Sequence, residues 1–97
     1  VGFVQQSGSS TEARVPKGKV TAKTASVELA KANQDRIELI VTNEGGNDVW
    51  LSLGTAAVAK EGPYLVSKTG TWNTSSYSGA VFVITSTGES NVTFSEI

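Results

Sequence analysis

Neither cysteine nor histidine occurs in this 97-residue chain, and the two absences remove much of the familiar catalytic and metal chemistry. Without cysteine there are no disulfides, thiolate zinc sites or thiol nucleophiles. Without histidine the usual general base and the commonest transition-metal ligand are missing, which rules out a Ser-His-Asp triad or a His-bearing metal centre. Serine and threonine are abundant, but only a lysine remains to activate one as a nucleophile, and no pair of acids is singled out for glycosidase chemistry. The expectation is a protein that is not an enzyme and carries no cofactor or metal.

Charge is also sparse: 18% of residues are charged and the formal net charge is −1. A nucleic-acid footprint is normally strongly basic, so no nucleic-acid partner is expected. Lys17, Lys19 and Lys23 form the one local basic cluster and read as solvated side chains rather than phosphate contacts. No apolar run approaches the roughly 20 residues of a membrane span, and residues 1–11 lack the basic and long apolar regions of a signal peptide. No membrane partner is expected, and the protein should be soluble before any assembly.

What the chain does contain is alternation. In residues 36–53, RIELIVTNEGGNDVWLSL, the apolar residues Ile37, Leu39 and Val41 and then Val49, Leu51 and Leu53 occupy every second position, the period of half-buried strands. The Gly/Asn-rich stretch between them suggests a β-hairpin with a three-residue loop of Glu44, Gly45 and Gly46. Val41 would then oppose Val49, and Gly46 would take the left-handed position that closes such a loop. Gly45 should be the more tolerant of the two. The same register sets Ile40 opposite Trp50 on the outer face.

Elsewhere, residues 20–29 read as a strand in preference to a short helix over 26–33, and residues 16–18 as a turn. Residues 54–62 are a weakly patterned edge strand or loop, and Tyr64, Leu65 and Val66 follow Pro63 as strand formers. Thr71, Trp72 and Asn73 form a further short strand. Residues 80–85, AVFVIT, suit a central strand covered on both faces. Gly88 and Glu89 suggest a second hairpin that brings Val83 opposite Phe94. About seven short strands with no clear helix indicate an all-β antiparallel sandwich or jelly roll, residues 13–97, preceded by an extended N-terminal arm, residues 1–12.

Within the arm, Val1, Phe3 and Val4 either fray or dock on another subunit. The oxygens of Asn43, Glu44, Asn47 and Asp48 could gather around calcium, but Asn and Asp are what tight turns select and no EF-hand spacing is present. Trp72 is expected in the core or at its rim. Trp50, beside Ile40, is either covered by a second layer or exposed as an interaction patch. Phe3, Val4, Ile40 and Trp50 are therefore the candidate interaction residues. A chain this short buries only about 60–65% of its unfolded surface, so self-association is expected, as a trimer in preference to a dimer.

Two segments carry a resemblance: residues 32–54, ANQDRIELIVTNEGGNDVWLSLG, and residues 77–97, YSGAVFVITSTGESNVTFSEI. With Arg36 opening the first strand, Asn43 before the turn, the Trp50-Leu51 pair after it and the Tyr77-x-Gly79 step, the chain resembles small all-β structural proteins of tailed bacteriophage virions. The resemblance implies a capsid decoration, cement or other minor virion protein at the capsid surface, bound to the major capsid protein or other virion proteins. It supplies no catalytic residue. The alternative is a carbohydrate- or receptor-binding module on a phage appendage.

Overall fold

The structure, a computed structural model, describes residues 17–97; the arm, residues 1–12, lies outside them. Eight strands follow one another: β1 (Lys17–Ala22), β2 (Val27–Ala30), β3 (Leu39–Asn43), β4 (Val49–Leu53), β5 (Tyr64–Leu65), β6 (Thr71–Thr74), β7 (Val81–Thr85) and β8 (Ser90–Glu96). No helix interrupts them among the described residues. They form two antiparallel four-stranded sheets, β1-β8-β3-β6 and β2-β7-β4-β5, which make a β-sandwich.

The pairing is nested. β1 lies on β8, β2 on β7, β3 on β6 and β4 on β5, as in one long hairpin whose tip is the β4–β5 connection. Its successive pairs fall alternately into the two sheets, and the β3–β8 and β4–β7 ladders complete each sheet. Only the β4–β5 link stays within a sheet; every other connection crosses the core.

Alternation explains the core. Ala22, Leu39, Val41 and Val92 face inward from the first sheet, and Leu29, Val49, Leu51, Leu65, Val81 and Val83 from the second, all buried. Each such Leu or Val contributes about 1.5–3 kcal/mol relative to exposure. Trp72 packs against this cluster from β6, at the core rim where its strand position suggested. β7 sits between β2 and β4 and is almost wholly buried, as expected of residues 80–85.

Both expected hairpins are instead arches between sheets. β3 and β4 belong to different sheets, so Leu39 and Val41 meet Leu51 and Val49 across the core rather than along a shared ladder. Sheets stack about 10 Å apart, a gap that residues 44–48 span easily in extended chain. The inward period of each strand is the same in a hairpin and in an arch, so the pattern of apolar residues could not separate them. β7 and β8 are divided in the same way: Val83 pairs with Val27 and Leu51, while Phe94 pairs with Gly18 and Val41. Residues 20–29 likewise split into β1 and β2, which lie in opposite sheets. Ile37 and Leu53, expected inside, are 70% and 40% exposed, because Ile37 lies before the start of β3 and Leu53 is the last rung of the β4–β7 ladder, at the edge of the covered core.

The arch reverses the expectation for its two glycines. Gly46 has no positive φ and nothing near the position a side chain would take. A Cβ on Gly45 would lie 2.5 Å from the Asn91 nitrogen and 2.6 Å from the Ser90 Cα, so Gly45 is the glycine that close approach requires.

Two buried polar side chains lock the crossings. Asn43, fully buried, accepts from the Gly45 N–H (3.1 Å) and the Ser90 hydroxyl (2.7 Å) and donates to the carbonyls of Asn47 (2.8 Å), Leu65 (3.1 Å) and Val66 (3.3 Å). It thereby joins the ends of β3, β5 and the start of β8. At the other end Arg36 pairs with Glu96, both buried, and also donates to the carbonyls of Lys31 (2.7 Å), Gly79 (2.9 Å) and Tyr77 (3.3 Å).

Candidate interaction surface

The outward side of β4 reads Asp48, Trp50, Ser52, because Val49 and Leu51 point into the core. Trp50 is flanked in register by Tyr64 on β5 and Ile84 on β7, and Ser52 by Phe82 on β7. This face of the second sheet is therefore apolar near its middle. Its β7 side is covered by the chain itself: the Ala57 N–H donates to the Ser26 hydroxyl at 2.8 Å, just before β2, so residues 54–63 cross β7 before returning to β5. Ala57 and Ile84 are both buried. The Ala-rich stretch is thus the second layer, and it leaves the β4–β5 margin open.

At that margin Tyr64 is 53% exposed and Trp50 is partly buried. Their ring centroids are 5.4 Å apart and the planes are tilted by 45°, within the range of favourable aromatic pairs. The Tyr64 phenol donates to the Asp48 Oδ2 at 2.8 Å, and the Asp48 Oδ1 accepts the Ser67 N–H at 2.8 Å. The Leu51 N–H donates to the Pro63 carbonyl at 2.9 Å, so the short β5 is tied to β4 by backbone as well. The hydrogen bond to the Asp48 carboxylate raises the Tyr64 pKa above its ordinary value, with smaller contributions from desolvation and from the charge of Asp48. Trp50 and Tyr64 form a ledge whose phenol is held in place.

Ile40 is not part of it. It lies on the outer face of the first sheet between Asn73 and Ser95, on the opposite side of the sandwich from Trp50, because β3 and β4 belong to different sheets. Ile40 is surrounded by polar side chains: one row runs Lys17, Ser95, Ile40, Asn73 and the next Lys19, Thr93, Thr42, Thr71. Phe3 and Val4 lie outside the described residues. Tyr64, not Ile40, is the partner of Trp50. Its place follows from the β4–β5 pairing, which two strand residues after a proline signal only faintly.

The four residues weighed for calcium diverge. Asn43 points into the core, Asn47 donates to the Glu89 carbonyl (2.8 Å), Glu44 faces Thr93 (3.4 Å) and Asp48 holds Tyr64. Asn43, Asn47 and Asp48 are each held by hydrogen bonds of the kind turns select, and the four side chains do not converge on one point. Among the described residues no helix is long and apolar enough to cross a membrane. No family model matches the chain, and comparison with curated proteins and with solved structures finds no match.

Proposed function

We propose that the chain is a non-enzymatic structural protein of a tailed-bacteriophage virion, a decoration or cement protein that binds the outer shell and bridges capsomers. The observation that carries this reading is the strand order β1-β8-β3-β6 over β2-β7-β4-β5 with nested antiparallel pairs. We read that order as a jelly roll, an architecture that recurs in viral capsid and lectin domains. The buried polar side chains support the same reading, since Arg36, Asn43 and Glu96 are engaged in holding crossings together. The partners are the major capsid protein or other virion proteins and further copies of the chain, with a trimer preferred to a dimer because a core this small gains from a shared face. The test is to add purified protein to particles lacking it. Saturable binding that survives a high-salt wash supports the reading, and binding that salt abolishes contradicts it.

A second reading, a carbohydrate- or receptor-binding module on a phage appendage, is favoured by the Trp50–Tyr64 ledge, in which Tyr64 is exposed and Trp50 partly so.

A further inference from the structure

We infer that the β4–β5 margin is a binding site for a neutral, hydroxyl-rich glycan, with Trp50 and Tyr64 as its apolar platform and Ser52, Thr55 and Glu61 as its polar wall. The site deepens the second reading and rests on it; whether the protein decorates a capsid is a separate matter.

The ledge does not end at the two rings. Ser52 is the next outward residue of β4 after Trp50, about 7 Å along the strand, and Pro63 directly precedes Tyr64. Both line a cleft of about 290 Å³ that the 54–63 segment encloses with Thr55, Val58 and Glu61. Platform and cleft are therefore neighbours on one margin, joined through Ser52 and Pro63.

Their chemistry is that of a sugar. A pyranose has one face rich in C–H groups, which packs on aromatic rings, and a rim of hydroxyls that need donors and acceptors; sites of this kind are mostly apolar with a few placed polar groups. Ser52 Oγ and Thr55 Oγ1 lie 3.1 Å apart and share one hydrogen between them, so the second hydroxyl hydrogen is left to donate outward. The Glu61 carboxylate has no hydrogen bond to a side chain and no ion pair among the described residues, and remains free to accept from two sugar hydroxyls. Tyr64 is already oriented by Asp48, so little side-chain freedom is lost on binding.

Charge selects the class. Asp48 stands at the platform and Glu61 in the cleft, whose lining holds no cation to pair with phosphate, sulfate or uronate groups. A protein partner is disfavoured because the centres of such interfaces are depleted of charge, whereas here a carboxylate stands in the cleft.

The experiment is affinity electrophoresis of the full chain in gels cast with dextran, laminarin, galactomannan or hydroxyethylcellulose, and in one cast with alginate as a polyanion. Retardation is expected in at least one neutral gel. Tyr64→Ala and Glu61→Gln, both at exposed positions, should each weaken that association about tenfold or more, while Thr71→Ala on the opposite face leaves it unchanged. Retardation that persists in both Tyr64→Ala and Glu61→Gln overturns this site but spares the second reading. Retardation in alginate alone overturns the neutral class, and no retardation in any gel overturns the site and the second reading together.

Discussion

Arg36 and Glu96 stand 60 residues apart in sequence and meet at the closed end of the sandwich, where two guanidinium N–H groups converge on one carboxylate oxygen. The remaining three N–H groups of Arg36 reach the carbonyls of Lys31, Tyr77 and Gly79, so all five of its donors are engaged. One side chain thus ties β8 to the connections that precede β3 and β7.

Removing either partner leaves the other charge buried and alone, which costs about 3–5 kcal/mol. Arg36→Met should cost more than Glu96→Gln in urea denaturation, because it also orphans three carbonyls while the glutamine keeps an acceptor oxygen. The reverse order would mean that the ion pair, and not the carbonyl cluster, dominates this corner.

Asn43 makes the corresponding lock at the other end. Asn43→Leu preserves approximate size but takes the acceptor from the Gly45 N–H and the Ser90 hydroxyl and a donor from the carbonyls of Asn47 and Leu65, while the Val66 carbonyl keeps the Gly70 N–H. Each orphaned group costs about 1–3 kcal/mol where water cannot reach it, so this variant should fail to give a cooperative unfolding transition at room temperature. A transition shifted by less than about 1 kcal/mol would show that water replaces the amide.

The glycines give a sharper contrast. Gly45→Ala forces a methyl against the β8 backbone and should destabilise by about 1–3 kcal/mol. Gly46→Ala meets open space and should stay within about 0.5 kcal/mol. A larger loss for Gly46→Ala than for Gly45→Ala in chemical denaturation would place residues 44–48 in a hairpin after all.

The individual strands could be read from the sequence, but their partners could not. The period-two runs at 37–41 and 49–53 mark the inward residues correctly for Leu39, Val41, Val49 and Leu51, since an inward face is a local property. Which sheet a strand joins depends on where the chain crosses the core, and that is decided by Asn43, Ser90 and Arg36, whose partners are distant in sequence. Parity within a hairpin would set Ile40 beside Trp50, whereas it belongs to the other face. Arg36, Asn43 and the Tyr77-x-Gly79 step stood out as motif positions, and in the structure they are the residues that hold the crossings. Trp50 was legible as an outward aromatic because parity alone places it there; Tyr64 was not, because a two-residue strand has too little pattern to fix its register.

The Tyr64–Asp48 bond has a pH signature. Its phenol pKa is raised from the ordinary value of about 10, mainly because the neutral phenol donates to the carboxylate. The folded state therefore holds this proton more tightly than the unfolded one. The stability from the bond is fully present below the unfolded pKa and is lost as pH rises through the folded value. In an absorbance titration, Asp48→Asn should lower the Tyr64 transition toward its ordinary position. An unchanged titration would show that the bond does not persist in solution.

The proposed structural role is tested most directly by the number of copies of the chain in purified virions, counted by quantitative mass spectrometry alongside the native mass of the free protein. A decoration protein is expected in many copies, in fixed ratio to the major capsid protein, and as a closed homo-oligomer when free. A handful of copies per particle, or none, together with a stable monomer in solution, would contradict it.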